Sequence, residues 1–150
     1  MTIPEQASEL ELTQSGEYEQ SMLYLLPETK EDFEFWLSRL EREHDCVFES
    51  QSRDYHNALS VVVMNHPDEF VETVTELSAQ KEEYKKITFY LTRDVKKEYN
   101  FWYALQKREY PELKEYRKRD LNMAFVLTGM KFEDEFIATL NYLTEQKESE

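Results

Sequence analysis

Glycine is scarce in this sequence: Gly16 and Gly129 are the only two among 150 residues. Loops that bind phosphate groups need several glycines, because their backbone N–H groups must approach the ligand closely. The composition therefore excludes a P-loop and a dinucleotide-binding fingerprint. We accordingly predict that the protein has no cofactor.

Cysteine and histidine are almost as rare. Cys46 is the only cysteine, which excludes an internal disulfide and a paired-cysteine motif. Together with the three histidines it supplies ligand types that zinc prefers, but their spacings match no common zinc pattern. Asp45 and Glu49 flank Cys46, and their charges should raise the pKa of its thiol and weaken it as a nucleophile. We therefore predict no metal site, no catalytic residue and no enzymatic activity.

Long apolar runs are missing, and no stretch has the length of a membrane span. Residues 1–20 lack the basic and apolar segments of a secretory signal, so we expect a cytoplasmic protein. This segment contains five Glu residues and no Lys or Arg, and it predicts a flexible acidic arm. The composition of residues 21–146 predicts one folded domain, and residues 147–150 predict a frayed tail.

Basic residues are few, with 18 Lys and Arg against 32 Asp and Glu, for a net charge of −14. Such an excess repels phosphate backbones and anionic membranes, so we predict no direct nucleic-acid or membrane partner. It favours a basic protein partner. Nine of the basic residues lie between Arg93 and Arg119 against five acidic ones, so this segment is +4 and the remainder is −18.

The continuous apolar run Leu59–Met64 is rich in β-branched residues and predicts a central strand covered on both faces. Four other short runs predict further strands, at Met22–Leu26, Cys46–Ser52, Ile87–Leu91 and Met123–Leu127. Apolar residues at helical spacing predict four helices between and after them, beginning near Thr29, Pro67, Thr92 and Phe132.

This order predicts an α+β fold. Its first six elements follow the ferredoxin-like order β-α-β-β-α-β, extended by a helix, a strand and a helix, with about five strands in a mixed sheet. The alternative is a doubly wound α/β sheet, which requires Cys46–Ser52 to be a loop.

The leading functional hypothesis is a non-enzymatic protein-binding module that inhibits or regulates a basic partner. A nucleic-acid-processing enzyme fits best, because such enzymes present basic grooves that acidic side chains can occupy. The predicted contact residues are acids on helix faces: Glu31, Glu34, Glu41, Asp68, Glu72 and Glu76.

Two alternatives remain open. The first is a structural subunit that self-associates through an aromatic helix, with Phe101, Trp102 and Tyr103 at the interface, because this part of the helix is apolar nearly all round. The second is a small-molecule sensor or an enzyme built on a ferredoxin-like sheet.

Overall fold

The computed structural model describes residues 18–77, 85–116 and 118–148, and in these ranges the chain is mainly helical. Two strands, β1 and β2, and seven α-helices follow one another along it. Their bounds are β1 Tyr18–Leu25, α1 Pro27–Glu43, α2 Asp45–Phe48, α3 Ser52–Met64, α4 Pro67–Leu77, β2 Lys85–Thr92, α5 Arg93–Glu109, α6 Lys118–Lys131 and α7 Glu133–Glu148. A short 3₁₀-helix, Pro111–Glu115, lies between α5 and α6.

The predicted α+β fold is wrong. The described residues form a two-stranded antiparallel sheet in which Tyr18 lies opposite Thr92 and Leu25 opposite Lys85. Only two of the five predicted strands, Met22–Leu26 and Ile87–Leu91, overlap observed strands. The other three lie in helices or beside them: Cys46–Ser52 in α2 and the turn after it, Leu59–Met64 in α3, and Met123–Leu127 in α6. The doubly wound alternative is wrong as well, since the two strands are not parallel.

Helix α3 lies at the centre of the molecule. Every residue from Ala58 to Met64 is buried, and α3 packs against β2, α5, α6 and α7. Ser60 is accommodated because its hydroxyl donates to the carbonyl of His56, 2.9 Å away. With neighbours on all sides, this half of the helix has no polar face, and its sequence is therefore a nearly continuous apolar run.

Side chains of α3 complete the small sheet. Nδ1 of His56 accepts a hydrogen bond from the backbone N–H of Tyr90, at 3.0 Å. Asn57 accepts from the N–H of Thr92 at 2.8 Å and donates to the carbonyl of Tyr90 at 3.4 Å. These polar groups occupy the C-terminal part of the β2 edge that a third strand would otherwise pair with, so a helix satisfies the backbone groups there.

The amphipathic helices bury the faces that their periodicity predicts. In α1, Phe33, Trp36, Leu37 and Leu40 are buried, and α1 packs against α2 and α6. In α4, Phe70, Val71 and Val74 are buried against α6. Thr92 caps α5, because its hydroxyl accepts from the N–H of Val95 at 3.3 Å.

The predicted terminal segments fall largely outside the described residues. Outside them lie residues 1–17 of the predicted arm and residues 149–150 of the predicted tail. The rest of the arm, Tyr18–Gln20, belongs to β1, and the rest of the tail, residues 147–148, belongs to α7. In the part of the chain that the structure describes, no helix has the combined length and apolarity needed to cross a membrane.

Candidate interaction surface

The exposed face of α1 carries a large aromatic side chain among acidic ones. Phe35 has 71% of its surface exposed, although its neighbour Trp36 is buried. Glu31 and Asp32 lie one helical turn before Phe35, and Glu28 two turns before it, so all three share its face. All three acids are exposed. We define the α1 face as Phe35 with Glu28, Glu31, Asp32 and Glu34.

All six acids predicted as contact residues are exposed, but they lie on two helices. Glu31, Glu34 and Glu41 are on α1, and Asp68, Glu72 and Glu76 are on α4. Both helices pack against α6, so the structure places two acidic stripes on the molecule.

Two of the predicted acids have partners within the chain. Glu34 forms an ion pair with Lys30 at 2.7 Å. Asp68 accepts from the hydroxyl of Tyr110 at 3.0 Å, and this bond to a carboxylate raises the pKa of Tyr110. The other four form no ion pair with any described residue.

Helix α1 is fixed to the start of α7. The indole N–H of Trp36 donates to Oε1 of Glu133 at 2.8 Å, and the guanidinium of Arg39 binds the same oxygen. Arg39 also donates to Glu43 at 3.1 Å. The bond to Glu133 is the main cause that raises the pKa of Arg39. These bonds hold the α1 face in one orientation.

A second tie joins the turn after α3 to α7. Nε2 of His66 lies 2.5 Å from Oε2 of Glu135, and the amide of Asn65 donates to Oε1 at 2.7 Å. The His66 ring stacks on Phe132 with centroids 3.5 Å apart. Glu133 and Glu135 also line a surface cavity of about 430 Å³ with residues 131, 132 and 134. Because both carboxylates already bind protein donors, their arrangement is that of an interhelical tie.

Sequence reasoning missed both ties. Acids at the start of a helix such as α7 are expected from the favourable field of its N-terminus alone. Trp36 and Glu133 are separated by 97 residues, and His66 and Glu135 by 69. No spacing signal in a single sequence connects residues that far apart.

Cys46 has the environment of an inert thiol. Burial is the main cause that raises its pKa, and the charges of Asp45 and Glu49 add to it, in the direction that the sequence predicts. Its Sγ lies 3.9 Å from the carbonyl oxygen of Ile137. Among the described residues, no three His, Cys, Asp or Glu side chains come together as a metal site.

The predicted oligomer-interface residues of α5 point in different directions. Trp102 is buried and lies edge-on to Phe70, with ring centroids 5.3 Å apart. Tyr103 is half-buried, and Phe101 has 61% of its surface exposed. Leu105, one turn after Phe101 and not predicted, has 39% exposed. Phe101 and Leu105 therefore form the accessible apolar part of α5.

Comparison with known proteins adds one match. The model of a family of unknown function, DUF7970, matches residues 15–79, less than half of the chain. This segment includes β1 and helices α1 to α4, and with them both acidic stripes. No curated protein and no solved structure matches the chain.

Proposed function

We propose that this chain is a non-enzymatic protein-binding module whose α1 face binds a basic partner and inhibits or regulates it. The observation that carries the proposal is Phe35, a phenylalanine with 71% of its surface exposed among four exposed acids on one helix. An aromatic side chain can bury roughly 150–250 Å² of its surface in a partner. The surrounding carboxylates would select a basic surface over an acidic one.

The scaffold supports this use of the face. Trp36 and Arg39 tie α1 to Glu133, so the face is already ordered before it meets a partner, and little ordering cost remains at binding. Helix α4 contains four acids and no basic residue, and its field would steer a basic protein toward the molecule. Enzymes that process nucleic acids are the partner class that we favour, and the cytoplasm is the compartment that we propose.

The first experiment identifies the partner at this face. A photo-crosslinking phenylalanine analogue replaces Phe35 in one variant and Leu105 in a control variant, and both are irradiated in lysate of the native host. We expect a basic protein joined to position 35 and absent at position 105. Among adducts with proteins other than a second copy of this chain, equal amounts at both positions, or an acidic protein at position 35, would contradict the proposal.

Affinity measurements with the purified partner then test the face residue by residue. We expect Phe35→Ala to weaken binding by about 30-fold or more, the size of a central aromatic anchor. The pair E31K/E34K should slow association and reduce its dependence on salt. The matched pair E72K/E76K reverses the same number of charges on α4, and E109K/E112K does so on exposed acids elsewhere. If E31K/E34K affects binding no more than E109K/E112K does, the α1 face is not the binding site.

A further inference from the structure

Helix α5 has a net charge opposite in sign to that of α1, because it has more basic than acidic residues. Lys97, Phe101 and Leu105 follow one another at one-turn intervals, and Arg108 lies on the same side one turn further. Lys97, Phe101, Leu105 and Arg108 are all exposed. We define these four residues as the α5 face. It lies in the one segment that is +4 on a chain of −14.

The two faces are built in the same way. Each contains a Phe-Trp pair in which the tryptophan is buried and the phenylalanine is exposed: Phe35 with Trp36, and Phe101 with Trp102. The buried indole anchors each helix to the core, and the adjacent ring is left at the surface. On α1 the acids outnumber the basic residues by six to three, although Arg39 and Arg42 follow Phe35 on its face. On α5 the basic residues outnumber the acids by five to three, and Lys97 and Arg108 flank the ring, with Asp94 and Glu98 on the same side.

We infer that the α5 face is a docking surface for the α1 face of a second copy of this chain. Charge complementarity carries the inference, because lysine and arginine of one copy would meet Glu31 and Glu34 of the other around two apposed aromatic rings. Contact of α1 with α1, or of α5 with α5, would bring together two helices whose net charges have the same sign. This goes beyond the proposed function and does not depend on it.

The contact is small, so we expect weak association that depends on concentration and falls with added salt. Two such contacts related by a two-fold axis would give a closed dimer, and a single contact repeated head to tail would give an open chain. In either case Phe35 of an associated copy is covered. Self-association and a separate basic partner would then compete for the α1 face.

Analytical ultracentrifugation of the full chain at low salt over a wide concentration range tests the inference. We expect the unmodified chain to associate, and K97E/R108E and E31K/E34K each to weaken association at least tenfold. An equimolar mixture of the two variants should recover it, since each reversed face then meets a face of opposite charge. E72K/E76K reverses two exposed acids outside both faces and should associate as the unmodified chain does. Circular dichroism confirms that each variant is folded.

Three results would overturn the inference. The unmodified chain could be a strict monomer at the highest concentration, or association could be lost in K97E/R108E and not in E31K/E34K. The third is that mixing the two variants does not restore association. Phe101→Ala provides a test that leaves every charge in place, and it too should weaken association. None of these results bears on the crosslink at Phe35, so the inference and the proposed function can fail separately.

Discussion

At the scale of single residues, Gly129 is required by a close contact between two helices. A Cβ at this position would lie 2.2 Å from Cδ1 and 2.8 Å from Cγ of the buried Leu59. Alanine favours a helix over glycine by up to about 1 kcal/mol. Overlap in a packed core costs about 1–3 kcal/mol, so we expect Gly129→Ala to lower the free energy of unfolding on balance. Denaturant titration of both proteins measures this change in the free energy of unfolding.

A double-mutant cycle isolates the contact. Leu59→Ala removes the atoms that the new methyl group would meet, although it creates a cavity that costs about 2–5 kcal/mol by itself. The double variant should therefore be more stable than the sum of the single effects predicts, by about 1 kcal/mol or more. Additive effects would show that Leu59 does not restrict position 129.

His56 makes stability depend on pH. It is buried, its ring stacks on Phe89, and burial lowers its pKa from 6.5 to about 3. Between these two values the unfolded chain binds a proton at this residue and the folded chain does not. The stability is thus fully present above pH 6.5 and is lost as pH falls toward 3, by at most about 1.4 kcal/mol for each pH unit.

Comparison with His56→Gln isolates this contribution from the many carboxylates. Glutamine does not titrate, and its carbonyl oxygen can accept the hydrogen bond from the Tyr90 N–H. We expect the difference in free energy of unfolding between the two proteins to shrink as pH falls from 7 to 4.5. A difference that stays constant over this range would mean that His56 binds a proton as readily in the folded protein as in the unfolded chain.

At the scale of secondary-structure elements, the amphipathic helices were predictable and the buried ones were not. Helices α1, α4 and α5 each have one face in the core and one in solvent, so their apolar residues recur at helical spacing. Pro67 begins α4 as predicted, and Thr92 caps α5. Because a half-buried helix has one apolar and one polar face, its periodicity can be recognised in a single sequence.

Helix α6 and the second half of α3 have no such periodicity, because other elements cover them on several sides. The run Leu59–Met64 is then equally compatible with a buried strand, and its β-branched residues favoured that interpretation. Residues Asp54–Asn57, which precede the run, belong to the first turns of α3. The side chains of His56 and Asn57 accept hydrogen bonds from β2, a tertiary role that local sequence does not reveal.

The acidic part of the candidate surface was predictable, and its aromatic part was not. Acids opposite the apolar stripe of α1 must face solvent, so the exposure of Glu31, Glu34 and Glu41 follows from the pattern. Phe35 lies outside the stripe that packs on the core, and only the structure shows how much of its ring remains exposed. Trp102 is the opposite case: it was predicted to lie at an interface, and the structure buries it in the core.

At the scale of the whole molecule, the two halves of the chain depend on each other. Strand β1 pairs with β2, and α3 packs against β2, α6 and α7, all of which follow residue 77. Trp36 packs on Phe136, with ring centroids 4.8 Å apart, and binds Glu133. Little of the core around β1, α1 and α3 can therefore form without the second half.

We predict that a fragment of residues 1–77 does not fold alone, although it includes β1 and α1 to α4. Without the second half, the buried surface of α3 and the edge of β1 are exposed to water, and the remaining apolar burial cannot offset the conformational entropy lost on folding. Thermal unfolding followed by circular dichroism should show no cooperative transition for the fragment and a single one for the full chain. Addition of residues 78–150 in trans should restore a cooperative transition. A cooperative transition in the fragment alone would show instead that α1 to α4 form an independent unit, and that the ties from Trp36 and His66 to α7 join two domains.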